Sequence, residues 1–223
     1  MRNSRERLST LITGASGSIG HEIAKKFSAM GHVIITGRDA TKLEWTRTAC
    51  EDPADISVVI GDLFNVRKKL VALADLYNIH TLILSSGQYE GSDPMDLVTT
   101  NLVAPIYLVK EILPLFLWRR SGSIIHINSL AGRNASPGEA LYSASKHGMA
   151  GFLKAIRLES RKDGIRVLDV FLGATKSHMT TSRQDNQFLM EPSDVADAIF
   201  AAVSNYQSLY LEELTIGRRN FPK

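Results

Sequence analysis

The sequence predicts one α/β domain: a doubly wound parallel sheet of seven strands with helices packed on both faces. Three observations predict it. Short runs rich in β-branched residues alternate along the chain with longer stretches of helical period. Most of these runs are apolar throughout rather than at every second residue, as in strands covered on both faces. A glycine-rich turn joins the first run directly to the first helical stretch. Such alternation implies right-handed crossovers between parallel neighbours.

The elements follow in order. The first strand is LSTLIT (8–13), and the turn TGASGSIG (13–20) leads into a helix over 18–30, which Gly31 ends. The second strand, HVIIT (32–36), is followed by a helix over 40–50 that Asp39 is placed to cap. The third, ISVVI (56–60), precedes a helix over 65–78, and the fourth, HTLILS (80–85), a long apolar helix over 95–119. The fifth, GSIIHIN (122–128), leads to a helix over 140–162. The sixth, IRVLDVF (165–171), is followed by a polar segment over 178–192 and a helix over 193–205, where Ser193 could cap. LYLEELTI (209–216) is the seventh strand. No repeat, low-complexity tract or linker divides residues 1–223, so all of them are assigned to one domain.

Composition narrows the function classes. The 44% hydrophobic and 22% charged fractions are those of an ordinary globular chain. Net charge is only +3, with 26 scattered cations against 23 anions, so no nucleic-acid partner is implied. The single cysteine, Cys50, excludes an internal disulfide and suits a reducing compartment. LVAPIYLVKEILPLFLW comes nearest to a membrane span, but Lys110, Glu111 and two prolines interrupt it. The basic N-terminus is followed by no secretory apolar core. A cytoplasmic protein with no membrane partner is expected.

In a doubly wound sheet, ligands bind beyond the carboxyl ends of the strands, and the unusual residues fall there. In TGASGSIG, Gly14 allows a tight turn, Gly17 lets backbone approach a phosphate, and Gly20 permits close helix–strand packing. Ser16, Ser18 and Ile19 complete the turn and the helix start, whose free N–H groups suit a pyrophosphate. Placed after the first strand and before an amphipathic helix, this pattern points to a dinucleotide rather than an ordinary glycine-rich turn. An enzyme selecting NAD(H) would want an acidic residue ending the second strand. Here Thr36 and Gly37 are followed by Arg38, which suits the 2′-phosphate of NADP(H), with Lys42 as a second cation. NADP(H) is therefore the preferred cofactor and NAD(H) the alternative, in which Arg38 is a solvated surface charge. Asp62 and Leu63, after the third strand, lie where an adenine would sit, and Asp62 also suits a helix cap. Ser86 and Gly87, after the fourth, leave room for a ribose.

Taken together these pieces resemble the short-chain dehydrogenases/reductases. The likeness runs from about Leu8 to Gly217 and rests on the glycine loop, Asn101, Ser129 and Tyr142-Ser-Ala-Ser-Lys146, with Ser129 and Tyr142 13 residues apart. It implies a Rossmann-type fold and an oxidoreductase that interconverts a carbonyl and a secondary alcohol. A free tyrosine, with a pKa near 10, is a poor base at neutral pH. The resemblance gives Lys146 the task of favouring the phenolate and bonding the nicotinamide ribose. Tyr142 would exchange a proton with the substrate oxygen, Ser129 would hold that oxygen, and Asn101 would position a water linking Lys146 to solvent. After the sixth strand, Gly173 matches the family, Thr175 would meet the nicotinamide amide, and Ser177 would reach the pyrophosphate.

Two departures stand out. Leu84-Ser85-Ser86-Gly87 replaces the family's Asn-Asn-Ala-Gly, removing hydrogen bonds across the central sheet, and Leu172 replaces a proline, loosening the turn there. Residues 178–192 fall where the family places a substrate lid. His178 and Arg183 either face a substrate or belong to a solvated loop, and Met179, Phe188, Leu189 and Met190 would floor the pocket. The helices 95–119 and 140–162 are apolar on more than one face; the resemblance implies a homodimer or homotetramer built on them, the alternative being a broad internal face. Three readings remain: an NADP(H) reductase of a small carbonyl substrate, an NAD(H) alcohol dehydrogenase, and a cofactor-sensing protein without useful catalysis.

Overall fold

The structure, a computed structural model, describes residues 8–89, 93–135, 137–181, 185–204 and 209–219. Arg183 lies outside them. Seven parallel strands form one sheet: β1 (Thr10–Thr13), β2 (Val33–Gly37), β3 (Ile56–Ile60), β4 (Thr81–Leu84), β5 (Gly122–Ser129), β6 (Ile165–Leu172) and β7 (Glu213–Ile216), in the order β3-β2-β1-β4-β5-β6-β7. The winding reverses between β1 and β4, which in a doubly wound sheet is where the ligand crevice lies, beyond the strand ends.

Alternate residues of each strand serve two cores. Ile12, Ile35, Ile83, Ile125 and Val170 face α1 (Ser18–Phe27), α2 (Ala40–Ala49) and α7 (Pro192–Ser204). Leu11, Ile34, Leu82, Ile124 and Val167 face α3 (Leu63–Leu76), α5 (Ala104–Arg119) and α6 (Ala140–Ser160). Each fully buried Leu or Ile contributes about 1.5–3 kcal/mol.

Several boundaries differ from the sequence expectation. The last strand pairs with β6 only over Glu213–Ile216, not 209–216; the residues before it meet β6 through the Glu212 carbonyl, which accepts from the Asp169 N–H, and the Tyr210 hydroxyl, which donates to the Ile165 carbonyl. The first helix ends at Phe27, and the third starts at Leu63, where Asp62 accepts from the Phe64 N–H. Ser193 does not cap α7. Pro192, with its fixed φ, takes the first helical position and Glu191 precedes it.

The helix expected over 95–119 is three pieces: α4 (Pro94–Val98), a π-helical turn over Thr99–Val103, and α5. The wider turn carries Asn101, which is buried. The prolines do not interrupt α5. Pro105 sits in its first turn, where an N–H is not needed, and Pro114 is flanked by buried Ile112 and Phe116. By length and composition alone, Pro94–Arg119 could cross a membrane, but its inner face belongs to the core.

Two glycines are fixed by space. A Cβ on Gly14 (φ +70°) would come within 2.6 Å of the Ser86 nitrogen, and one on Gly20 within 2.3 Å of the Gly14 oxygen. Gly20→Ala is therefore expected to cost about 1–3 kcal/mol by overpacking. Thermal denaturation should show a Tm several degrees lower; an unchanged Tm would mean the turn yields freely.

Candidate active site

The glycine loop hangs between β1 and α1. The Ala15 N–H donates to the Thr36 carbonyl, and the Thr46 hydroxyl on α2 donates to the Ala15 carbonyl at 2.9 Å. His21 stacks on Trp45 and meets Thr46 at 2.9 Å, so α1, α2 and the loop form one unit. Gly17 caps α1 with no side chain, and no acidic residue lies in the first turn. The N–H groups of Ser18, Ile19 and Gly20 precede the first helical hydrogen bond, from His21 to Gly17. Uncapped donors at a helix start, with no competing carboxylate, fit a pyrophosphate. Ser16 packs against Gly37, where a Cβ would meet its Oγ at 2.5 Å.

Across the crevice, Thr13 Oγ1 accepts from the N–H groups of Ser85 and Ser86, each at 3.2 Å. These bonds tie the end of β1 to the loop after β4, in place of those an asparagine would have made there. Arg38, at the end of β2, reaches over the same crevice: its two Nη atoms lie 2.7 and 2.9 Å from one terminal atom of the Gln88 side-chain amide, and both groups are satisfied when that atom is the oxygen. Asp39 caps α2 by accepting from the Lys42 N–H, and Lys42 Nζ lies 3.6 Å from its carboxylate. That pairing engages the second cation the sequence suggested.

Behind the crevice stand the groups that the resemblance assigns to the chemistry. Ser129 ends β5 and Tyr142 and Lys146 share one face of α6, four residues apart. Tyr142 lies close enough to Ser129 for the serine hydroxyl to lower its pKa. Lys146 is buried, donates to the Ile127 carbonyl at 3.2 Å, and sits 5.8 Å from the Tyr142 ring centre. A Cβ on Gly87 would lie 3.6 Å from Lys146 Nζ and 3.7 Å from Asn101 Oδ1, so the loop after β4 closes directly over the ammonium.

One expectation needs correction. The ammonium was expected to hold the phenol down. In the protein alone, burial pushes the Tyr142 phenol above its ordinary value, the Ser129 hydrogen bond opposes this, and the Glu139 carboxylate pushes it further up. It is the lysine that moves most: burial lowers Lys146 to about 8, against a rise from Asp169. The side chain of Asn101 is engaged by the loop after β4. Its Oδ1 accepts from the Gln88 N–H and its Nδ2 donates to the Gln88 carbonyl, both at 2.7 Å, and to Ser145 Oγ at 3.2 Å. Asn101 therefore clamps the loop that carries Gly87 and Gln88.

Gly173 donates its N–H to the Ile216 carbonyl, extending the β6–β7 ladder, so Leu172 in place of proline does not loosen that turn. Thr175 is buried, donates to the Gly173 carbonyl and bridges to Met190. The Ser177 N–H donates to Thr180 Oγ1 at 2.9 Å, so the 3₁₀ turn His178–Thr180 is locally closed. Met190 packs against the α1/α7 core and Leu189 is buried, while His178 and Met179 are exposed.

Three features escaped the sequence. Tyr89 packs edge-on against Tyr142, ring centres 5.1 Å apart, and donates to Glu139 at 2.8 Å. Gln88 carries both the Arg38 and Asn101 contacts. His126, Asn128 and Asp169 are buried and polar inside apolar strands, a signal visible in GSIIHIN and IRVLDVF but without an evident partner.

A family model described as short chain dehydrogenase matches residues 9–187. A 3-oxoacyl-[acyl-carrier-protein] reductase FabG of Rickettsia bellii is 31% identical, covering 92% of each chain. An NADP-dependent 3-hydroxy acid dehydrogenase of Schizosaccharomyces pombe is 24% identical over 92% of this chain and 90% of its own. Among solved structures, an actinorhodin polyketide ketoreductase variant with NADPH superposes with a TM-score of 0.83 at 24% identity, covering 95% of this chain and 96% of that one.

Proposed function

This chain belongs to the short-chain dehydrogenase family, and from that premise we propose that it is an NADP(H)-dependent reductase of a carbonyl group, a 3-oxoacyl thioester or a similar ketone. The observation that carries the proposal is the convergence of Ser129, Tyr142 and Lys146 at the mouth of the β1/β4 crevice, opposite an uncapped helix start. The substrate class is suggested by the reductase and dehydrogenase relatives. Arg38 supports the choice of NADP(H), since it is the cation at the β2 end not already paired with Asp39.

The bound nicotinamide supplies a hydride to the substrate carbon in reduction and accepts one in oxidation. Everything else falls to this chain. Ser129 and Tyr142 hold the substrate oxygen between two hydroxyls, which fixes the carbonyl carbon in place. Tyr142, kept as a phenol by burial, gives its proton to that oxygen as negative charge develops. Lys146 lies one helical turn away and offsets the phenolate left behind. Asn101, through Gln88, keeps the loop after β4 packed above Lys146. Gly14, Ser16, Gly17, Ser18, Ile19 and Gly20 would hold the pyrophosphate, Arg38 the 2′-phosphate, Asp62 and Leu63 the adenine, Ser86 and Gly87 the ribose, and Gly173, Thr175 and Ser177 the nicotinamide half. Residues 178–192 would act as a short lid over a single domain, and the protein would work in the cytoplasm as a homodimer or homotetramer. For the assembly, support comes from Trp118 and Leu158 on α5 and α6, which are 86% and 73% exposed.

The test is a panel of 3-oxoacyl thioesters, ketones, aldehydes and quinones, each with NADPH and with NADH, followed by cofactor absorbance. Consumption of NADPH by at least one 3-oxo compound is expected. Binding of NADPH without reduction of any member would favour a sensor instead.

A pH dependence follows. Lys146 carries its charge below about 8 and loses it above. The kcat/KM for NADPH, which reports the free enzyme, should therefore be level near neutrality and fall as pH rises through about 8. A profile flat to pH 10 would contradict a role for the ammonium.

A further inference from the structure

Beneath α6 lies a buried polar cluster that the proposed chemistry does not use. His126 and Asp169 are register partners on β5 and β6, and both point toward α6 together with Asn128, beside the apolar Ile124 and Val167 of the same face. His126, Asn128 and Asp169 are each no more than 3% exposed. The Asp169 carboxylate is fully engaged: Oδ1 meets His126 Nδ1 at 2.9 Å and Oδ2 accepts from Asn128 Nδ2 at 2.9 Å. Asn128 passes the constraint on. Its Oδ1 accepts from the Ser129 N–H at 2.8 Å, and its Nδ2 also donates to the Lys146 carbonyl at 3.4 Å. A Cβ on Gly132 would fall 2.7 Å from Asn128 Oδ1, so the turn after Ser129 packs on the same amide.

A buried charge needs a counter-charge. Around Lys146 stand His126 and the Ile127 carbonyl from β5, Asp169 from β6, the Gly87 backbone after β4, Asn101 from the π turn, and Tyr142 on its own helix. Burial holds His126 below its ordinary value, hence neutral near pH 7. Among the described residues, Asp169 is the one anion acting on Lys146, though no direct salt bridge joins them.

We propose that Asp169 is a positioning residue of this enzyme: it fixes Ser129 and Lys146 through Asn128 and supplies the counter-charge that keeps Lys146 an ammonium. The proposal rests on the oxidoreductase reading for its role in turnover, while the charge pairing can be measured without turnover.

The experiment compares Asp169→Asn, which keeps the shape and removes the charge, with Asp169→Glu, which keeps the charge and strains the shape. In the protein as purified, the ¹³Cε signal of Lys146 is followed by NMR against pH. In Asp169→Asn its midpoint should fall by about one unit or more. Asp169→Glu should bring it back toward the wild-type value. The alkaline limb of kcat/KM should move in step. Asp169→Ser, which leaves room for a water between His126 and Asn128, gives the same measurement if the asparagine variant does not fold. A Lys146 midpoint unmoved in the charge-removing variant would reduce Asp169 to a core residue and overturn the proposal. Should the wild type bind NADPH yet reduce nothing, the oxidoreductase reading fails on that result alone, and with it any role of Asp169 in turnover.

Discussion

Tyr142→Phe lowers kcat by about 10²–10⁴-fold, the contribution of a positioned general acid. The variant loses one oxygen and nothing else. The phenyl ring keeps its edge-on contact with Tyr89, and α6 keeps its packing through Met149, Leu153 and Ile156. NADPH affinity, read by fluorescence titration, should stay within a few-fold of wild type, because the binding donors at the start of α1 and at Arg38 are untouched. Unchanged turnover would remove Tyr142 from the chemistry. Lost NADPH binding would mean the hydroxyl serves the cofactor rather than the substrate.

Arg38→Asp reverses the cofactor preference. Removing a charged partner of a phosphate costs about 2–5 kcal/mol, and the new carboxylate adds repulsion toward the 2′-phosphate. That corresponds to a loss of at least about 30-fold in kcat/KM for NADPH. NADH should suffer far less, since an acidic residue ending β2 suits free ribose hydroxyls. The substitution also frees Gln88 from its contact with the guanidinium across the crevice, while Asn101 continues to hold the Gln88 backbone. The measurement is the ratio of kcat/KM for the two cofactors before and after the change. A ratio that does not move would make Arg38 a surface charge.

Much of this was legible in the sequence where the physics is local. TGASGSIG states its own geometry, because Gly14 must take positive φ and Gly20 must pack on backbone, both within eight residues. Tyr142 and Lys146 share a face because any helix aligns residues four apart. The doubly wound parallel sheet was inferable from alternation, and the sheet has the seven strands expected. What stayed hidden depends on residues far apart in the chain. The Arg38–Gln88 and Tyr89–Glu139 pairs each span 50 residues, and His126 and Asp169 meet only because β5 and β6 pair in one register. The π turn at Asn101 was invisible for another reason. Its sequence is as helical as its flanks, and only the need to reach Gln88 and Ser145 sets it apart. The ordering of the two pKa shifts also depends on depth. Lys146 lies deeper than the spacing alone indicates, so burial outweighs its neighbours.

The claim on which the rest depends is that a hydride reaches the substrate carbon at the Ser129–Tyr142–Lys146 site while Tyr142 supplies the proton. It is tested by reducing a 3-oxoacyl thioester with NADPH carrying deuterium at the transferable position of nicotinamide C4, in ordinary water, and locating the label by mass spectrometry. One deuterium on the carbinol carbon per turnover in the wild type, with almost no product from Tyr142→Phe, is the expected result. Product lacking the label, or labelled product formed equally fast by Tyr142→Phe, would contradict it.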